Sequence, residues 1–396
     1  MTESRKTTPG VNVRDAVFLA NPGYELVLFD RLPAEQRELL KDLQKDPDFY
    51  GVLRPLGTST LGVKAVSRDT ALLFLTLQQP GRLPEYARTI LGETCDQAIS
   101  RLVLDGVLAL ERDGKMIWGA DAAACIGDDD GPVATPGNQG FLEQLSLQAL
   151  QYGQRLQLTD RMALSMRLYG YNRAPLSPYW KHTLRDAEAV VGFLRIRDGG
   201  NRTRLDRDWV STPGNDGWLT WESRRLTAKD TFGAGTAVAA KLYVSPRIDA
   251  LPEVFPGILD ALGRTRVRQF KIGKAAAGLL RPDKLVAYFS RHDDLMETAA
   301  VLERELKGCA AQGVPFTAAL TPDGVLSWGV DPPANGHVLP WVGLESWRLW
   351  VTNRLAAALI AARADESRSL EPWQFALRRL QLEGVDTRSW TPAGTD

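Results

Sequence analysis

Between residues 240 and 290 the apolar spacing of the chain switches from period two to a helical period and back, which narrows the folds open to it. Lys241-Leu242-Tyr243-Val244-Ser245 alternates and stops at Pro246, as a strand does. Residues 250–262 then place Leu251, Phe255, Ile258, Leu259 and Leu262 at helical intervals. Val267-Arg268-Gln269-Phe270-Lys271-Ile272 alternates again, with Phe270 and Ile272 opposite Gln269 and Lys271. Strands are predicted at 240–245, 267–272, 284–289, 315–320 and 325–329, and helices at 250–262, 293–311 and 343–363. That mixture gives an α+β class.

The same stretch concentrates positive charge. From Arg264 to Lys284 the basic residues are Arg264, Arg266, Arg268, Lys271, Lys274, Arg281 and Lys284, against Asp283 as the lone acid. The whole chain carries 48 basic and 48 acidic residues, so the excess is local and calls for an anion, phosphate first. A lysine among cations loses its proton more easily, so Lys271, with Arg268, Lys274, Arg281 and Lys284 able to converge on it, is the predicted base. The bland alternative is a solvated lysine on an exposed sheet face.

Charge balance argues against wholesale binding to nucleic acid or acidic membranes. No apolar run nears the roughly 20 residues that span a bilayer. The polar start, Met1 to Gly10, lacks a signal-peptide apolar region, so a cytoplasmic setting is expected. Cys95, Cys125 and Cys309 form neither a disulfide framework nor a zinc spacing, and His182, His292 and His337 are dispersed. Phe232-Gly233-Ala234-Gly235-Thr236-Ala237 lacks the third glycine of a dinucleotide loop, and Walker, G-x-S-x-G and H-E-x-x-H motifs are absent. No cofactor and no metal are expected.

Upstream, Asp69 is placed to cap a helix whose apolar face uses Ala71, Leu72, Leu75 and Leu77. A second helix covers 83–91, and a third runs from Glu93 to Leu104 with Ala98, Leu102 and Val103 inward. Val107–Leu110 and Lys115–Trp118 flank Asp113-Gly114, a strong hairpin signal. Three helices and a hairpin read as a winged helix over 1–126, followed by a linker over 127–140. Its third helix is not basic, which disfavours a DNA groove. The hairpin edge could instead pair with an extended peptide. Glu345 to Arg354 opens a helix that carries Arg348 and Arg354, nearly two turns apart and able to face one site.

These motifs resemble a family. Lys241-Leu242-Tyr243-Val244-Ser245, the helix with Pro252-Glu253-Val254-Phe255, Phe270-Lys271-Ile272, Arg281 and Leu285-Val286-Ala287-Tyr288-Phe289 are similar to HopA-type effectors and, through them, to bacterial phosphothreonine lyases. The similarity covers roughly 179–362. It implies a lyase-like α+β catalytic domain over 141–396 with a mainly antiparallel sheet. It also implies the setting of class V lanthipeptide and thioviridamide-like biosynthesis, where a kinase-like partner phosphorylates Ser or Thr of a precursor peptide and the lyase eliminates the phosphate. By resemblance Lys271 is the general base, and Lys241, Arg281, Arg348 and less directly Arg354 hold phosphate. Lys274 joins this cradle as a neighbouring cation. Where the lyases have a histidine as general acid, this chain has Tyr243; Tyr243 or His182 would then supply the proton. A non-catalytic module that binds phosphopeptides or a kinase is the competing expectation, and a winged-helix regulator of DNA is a third.

Overall fold

The structure is a computed structural model; it describes residues 12–57, 61–126, 140–197, 199–213, 217–226, 240–332, 345–364 and 370–393. All of the predicted linker over 127–140 but Gly140, the glycine loop at 232–237 and His337 lie outside the described residues. The class is α+β, and every strand pairing among the described residues is antiparallel.

The chain opens with strands β1 (Val17–Ala20), β2 (Tyr24–Leu28), β3 (Phe49–Pro55) and β4 (Lys64–Ser67). Helix Arg68–Thr76, β5 (Gly81–Arg82), helices Glu85–Leu91 and Cys95–Leu104, and the hairpin β6 (Leu108–Arg112) and β7 (Lys115–Ile117) follow. The strands form one sheet ordered β5-β1-β6-β7 and another ordered β2-β3-β4. The hairpin turns at Asp113-Gly114, both with positive φ, as its two-residue turn demands.

Two sequence expectations in this region are corrected. The cap of the helix Arg68–Thr76 is Ser67, whose Oγ accepts the Thr70 N–H, rather than Asp69. Ala71 and, at the C-cap, Leu77 are buried as expected, but Leu73 and Phe74 complete the buried face while Leu72 and Leu75 are about half exposed. The core against which the helix packs, and not its cap, selects the face that turns inward, and here that core takes Leu73 and Phe74 in place of Leu72 and Leu75. The next long helix likewise buries Cys95, Ile99, Val103 and Leu104, with Ala98 and Leu102 only partly covered.

Helices Phe141–Arg155, Arg161–Tyr169, Trp347–Ala364 and Pro372–Gln381 pack on this N-terminal region. Leu150, Leu164, Leu168, Trp347, Leu355, Leu359 and Phe375 share one apolar core with Ile99, Val103, Leu104 and Leu110. Polar bolts reinforce the junction: Arg379 Nε and Nη2 donate to the Asp105 carboxylate at 2.8 and 2.9 Å, and Gln97 Nε2 donates to the Leu382 carbonyl at 2.7 Å.

The second core belongs to a seven-stranded sheet. Its strands are β8 (Trp209–Thr212), β9 (Trp218–Ser223), β10 (Ala240–Val244), β11 (Gln269–Gly273), β12 (Leu285–Phe289), β13 (Ala318–Ala319) and β14 (Leu326–Gly329). They lie in the order β13-β14-β10-β12-β11-β9-β8. One face presents Leu242, Val244, Phe270, Ile272, Leu285, Ala287, Phe289 and Leu326 to helices Leu251–Arg264 and His292–Glu305. The helix Leu251–Arg264 buries Leu251, Phe255, Ile258, Leu259 and Leu262, positions of one helical face. A two-stranded ribbon, β15 (Val385–Asp386) with β16 (Thr391–Pro392), closes the described chain.

Candidate active site

Because side chains alternate along a strand, the residues opposite that apolar face project together on the other side of the sheet. Register fixes who stands beside whom. Lys271 lies opposite Val286 and Thr220, Val286 opposite Tyr243, and Tyr243 opposite Ser327, so these five share a cross-strand row. In the adjacent row Tyr288 stands between Gln269 and Lys241. Lys271 and Tyr243 are two strands apart, about 10 Å between backbones.

Aromatic rings bracket the amine. Lys271 Nζ lies 4.5 Å from the centre of the Trp218 ring and 5.3 Å from that of Tyr288. Lys241 Nζ is 5.8 Å from the same Tyr288 ring, and the Arg281 guanidinium 5.2 Å from the same Trp218 ring. Three predicted cations therefore meet around two shared rings. Burial lowers the Lys271 pKa, Lys241 and Arg281 push the same way, and Asp283 opposes them. A neutral amine is thus more accessible than on an ordinary lysine.

Beside this cluster sits a buried ionic quartet that sequence reasoning did not assemble. Asp283 is 3% exposed. It accepts from Arg281 Nε at 2.8 Å, Arg281 Nη2 at 2.7 Å and the Tyr169 hydroxyl at 3.0 Å. The Tyr169 hydroxyl in turn accepts from Arg281 Nη2 at 2.7 Å. Arg348 Nη1 stands 2.9 Å from Asp283 Oδ2, an ion pair whose angle is too skewed for a hydrogen bond. Both guanidiniums lie over the Tyr169 ring, at 5.1 and 4.5 Å. Burial alone would raise the Asp283 pKa, but Arg348, Arg281 and the Tyr169 hydroxyl together hold it well below the usual carboxylate range.

The remaining predicted residues fall in several places. Lys241, largely buried, pairs with Asp331. Tyr243 is buried against Val286 and Val314, burial pushes its phenol pKa well up, and its hydroxyl has no hydrogen-bond partner among the described residues. Lys274 follows β11, with its backbone N–H on the Gly217 carbonyl at 3.0 Å. Arg348 differs from expectation: at 1% exposure it donates from Nε to the Pro315 carbonyl (3.1 Å) and from Nη2 to the Tyr169 carbonyl (2.8 Å), behind the cleft wall rather than on it. Arg354 is not part of the cluster. It pairs with Glu383, stacks on Trp350 at 3.7 Å and faces Glu345, because the helical turn that buries Arg348 points Arg354 toward the C-terminal helices. His182 is exposed on the short helix Pro178–Thr183 and contacts none of these groups among the described residues. Lys284 is wholly buried, donating to the Pro246 carbonyl and Gln312, and Arg264, Arg266 and Arg268 lie exposed, while Lys271 and Arg281 of the basic stretch meet at the Trp218 ring.

Among the described residues no group of His, Cys, Asp and Glu is arranged to hold a metal, and no helix is long and apolar enough to cross a membrane. Lys241 pairs with Asp331, and Arg281 and Arg348 share Asp283, which leaves one surplus positive charge when Lys271 is neutral and two when it is protonated.

No family model matches the chain, and no curated protein matches it in sequence. Its structural neighbours are bacterial effectors and phosphothreonine lyases. The effector protein from Pseudomonas syringae pv. tomato strain DC3000 superposes with a TM-score of 0.36 at 12% identity, over 64% of this chain and 99% of that one. The type III effector/phosphothreonine lyase OspF from Shigella flexneri gives 0.26 at 11% identity, over 36% and 88%. The phosphothreonine lyase SpvC, the effector protein from Salmonella, gives 0.27 at 12% identity, over 48% and 88%. At scores this low the likeness decides nothing about the chemistry.

Proposed function

We propose that the chain is a lyase that eliminates phosphate from phosphoserine or phosphothreonine in a peptide. The observation that carries this reading is the bracketed amine of Lys271, with Lys241 and Arg281 sharing its two rings. Lys271, neutral, takes the proton from Cα. The electrons of that C–H bond form the Cα–Cβ double bond as the Cβ–O bond breaks, and the electron pair leaves on the phosphate oxygen. Lys241 and Arg281 stabilise the charge gathering there. Tyr243, kept protonated by burial and in the same row as Lys271, supplies a proton to the departing oxygen. The products are dehydroalanine or dehydrobutyrine and inorganic phosphate.

The peptide substrate would be a biosynthetic precursor phosphorylated by a kinase-like partner, with the winged-helix-like N-terminal region as its recognition platform. What supports that platform is three helices and a hairpin in the expected order, bolted onto the C-terminal helices through Arg379–Asp105 and Gln97–Leu382.

Incubation with a phosphothreonyl peptide should remove the mass of phosphoric acid and leave an alkene that adds thiols. Recovery of the free alcohol would mean hydrolysis and refute the reading. Lys271→Met should abolish turnover without unfolding the chain. In the wild type, kcat should rise with pH through a Lys271 titration displaced below the ordinary lysine range, since only the neutral amine is a base; a rate flat in pH would argue against Lys271. A phosphopeptide that binds tightly and is released unchanged would favour the non-catalytic module.

A further inference from the structure

An anion already occupies Arg281, the arginine that joins Lys241 and Lys271 around the shared rings. Asp283 takes both Nε and Nη2 of Arg281, the same fork that would grip a phosphate, and stands 2.9 Å from Arg348 Nη1. The carboxylate comes from the chain itself, two residues beyond Arg281, and cannot diffuse away. Tyr169 reinforces the arrangement, donating its hydroxyl proton to Asp283 and accepting from Arg281. Arg281 is further held between the Tyr169 and Trp218 rings, so its outward side is set toward Lys271, which shares Trp218. An incoming phosphate would therefore meet a guanidinium whose fork is spent, and would bind through what remains of it and through Lys241 and Lys271.

We propose that Asp283 is a resident anion that shares Arg281 with the substrate phosphate and so limits how tightly free phosphate is held. This rests on the lyase reading for its purpose: an elimination yields inorganic phosphate in a pocket of surplus positive charge, and turnover needs that ion to leave. The fixed carboxylate competes for the guanidinium as the product departs. The bond-making steps are unchanged; Asp283 neither gains nor loses a proton in them.

The test uses the full chain and inorganic phosphate as the probe, by isothermal titration near neutral pH. Removing the carboxylate in Asp283→Asn should tighten phosphate binding by about tenfold or more, the usual worth of a charge-assisted contact to a freed guanidinium. Asp283→Glu, which keeps the charge, should stay within a fewfold of wild type. Where Asp283→Asn does not fold unaided, phosphate should rescue it: its thermal midpoint should rise more with phosphate than with chloride at equal ionic strength, and by more than in wild type. Affinity that is unchanged or weaker in Asp283→Asn, or a variant that phosphate cannot restore, overturns the proposal. The outcome is separable from the lyase reading. A wild type that binds phosphate yet leaves phosphopeptides intact would refute elimination while the titration of Asp283→Asn still decides the role of the carboxylate.

Discussion

Lys284→Met offers a quantitative check on the electrostatics beneath the cleft. Lys284 sits beside Asp283 with no exposed surface, donating to the Pro246 carbonyl at 2.9 Å and to Gln312 Oε1 at 2.6 Å. Burial pushes its pKa down from 10.5 to about 7, with Asp283 and Cys309 opposing the change. The unfolded chain therefore holds a proton at Lys284 over a range where the folded chain has lost it. Stability must rise with pH across that window, from about 7 toward 10.5, and sits at its low plateau below it. Between about pH 6 and pH 9 the gain from this group is about 2.5 kcal/mol, since folding that releases one proton gains about 1.4 kcal/mol for every tenfold fall in proton concentration. Methionine preserves length and flexibility but cannot titrate, so urea unfolding of Lys284→Met should lack this gain. At the alkaline end the variant should be weaker than wild type by about 1–3 kcal/mol, because Pro246 O and Gln312 Oε1 lose their donor. Parallel pH curves for the two proteins would refute the reasoning and show that Lys284 stays charged in the fold.

Two further outcomes follow from geometry. Arg354→Gln removes the Glu383 pair and the stack on Trp350, and should cost about 1–2 kcal/mol in urea unfolding while phosphate affinity stays within twofold; lost affinity at unchanged stability would return Arg354 to the cleft. Gly273→Ala would place a methyl group 2.5 Å from the carbonyl carbon of Gly278, backbone that cannot step aside, at the end of the strand bearing Lys271. We expect about 2–3 kcal/mol of destabilisation by the same measurement, and a full-strength variant would show that the turn after β11 yields easily.

The sequence was legible where periodicity and face were sufficient. Strands at 240–244, 269–273, 285–289 and 326–329 and helices at 251–264 and 292–305 stand within a few residues of their expected places, because each carries its own apolar pattern. The predicted strand at 315–320 shrinks to Ala318–Ala319, as Phe316 takes a left-handed conformation that a strand does not tolerate. Alternation set Lys271 opposite Phe270 and Ile272, but that Lys241 shares its face follows only from the strand register. What alternation cannot reveal is who sits above that face. Tyr169, which orients Arg281, lies 112 residues upstream of it, and no local pattern joins them. Asp283 looked like a minor interruption of a basic run, although its i, i+2 spacing from Arg281 was visible. Arg348 and Arg354 share spacing and charge, and only the packing of their helix separates one, buried beside the cleft, from the other, drawn off by Glu383. The apolar face of the helix Arg68–Thr76 was misread because Leu72, Leu73, Phe74 and Leu75 are all apolar, and only packing against the core decides that Leu73 and Phe74 turn inward.

The helix Trp347–Ala364 rests its apolar side on the same core as Ile99, Val103 and Leu104, and its first turn carries the guanidinium that backs Asp283. Cutting the chain at the supposed linker would therefore not liberate a working half. A fragment lacking the first 126 residues would uncover this shared core and lose the Arg379–Asp105 and Gln97–Leu382 bonds, so an inactive fragment would report on lost scaffolding and say nothing about peptide recognition.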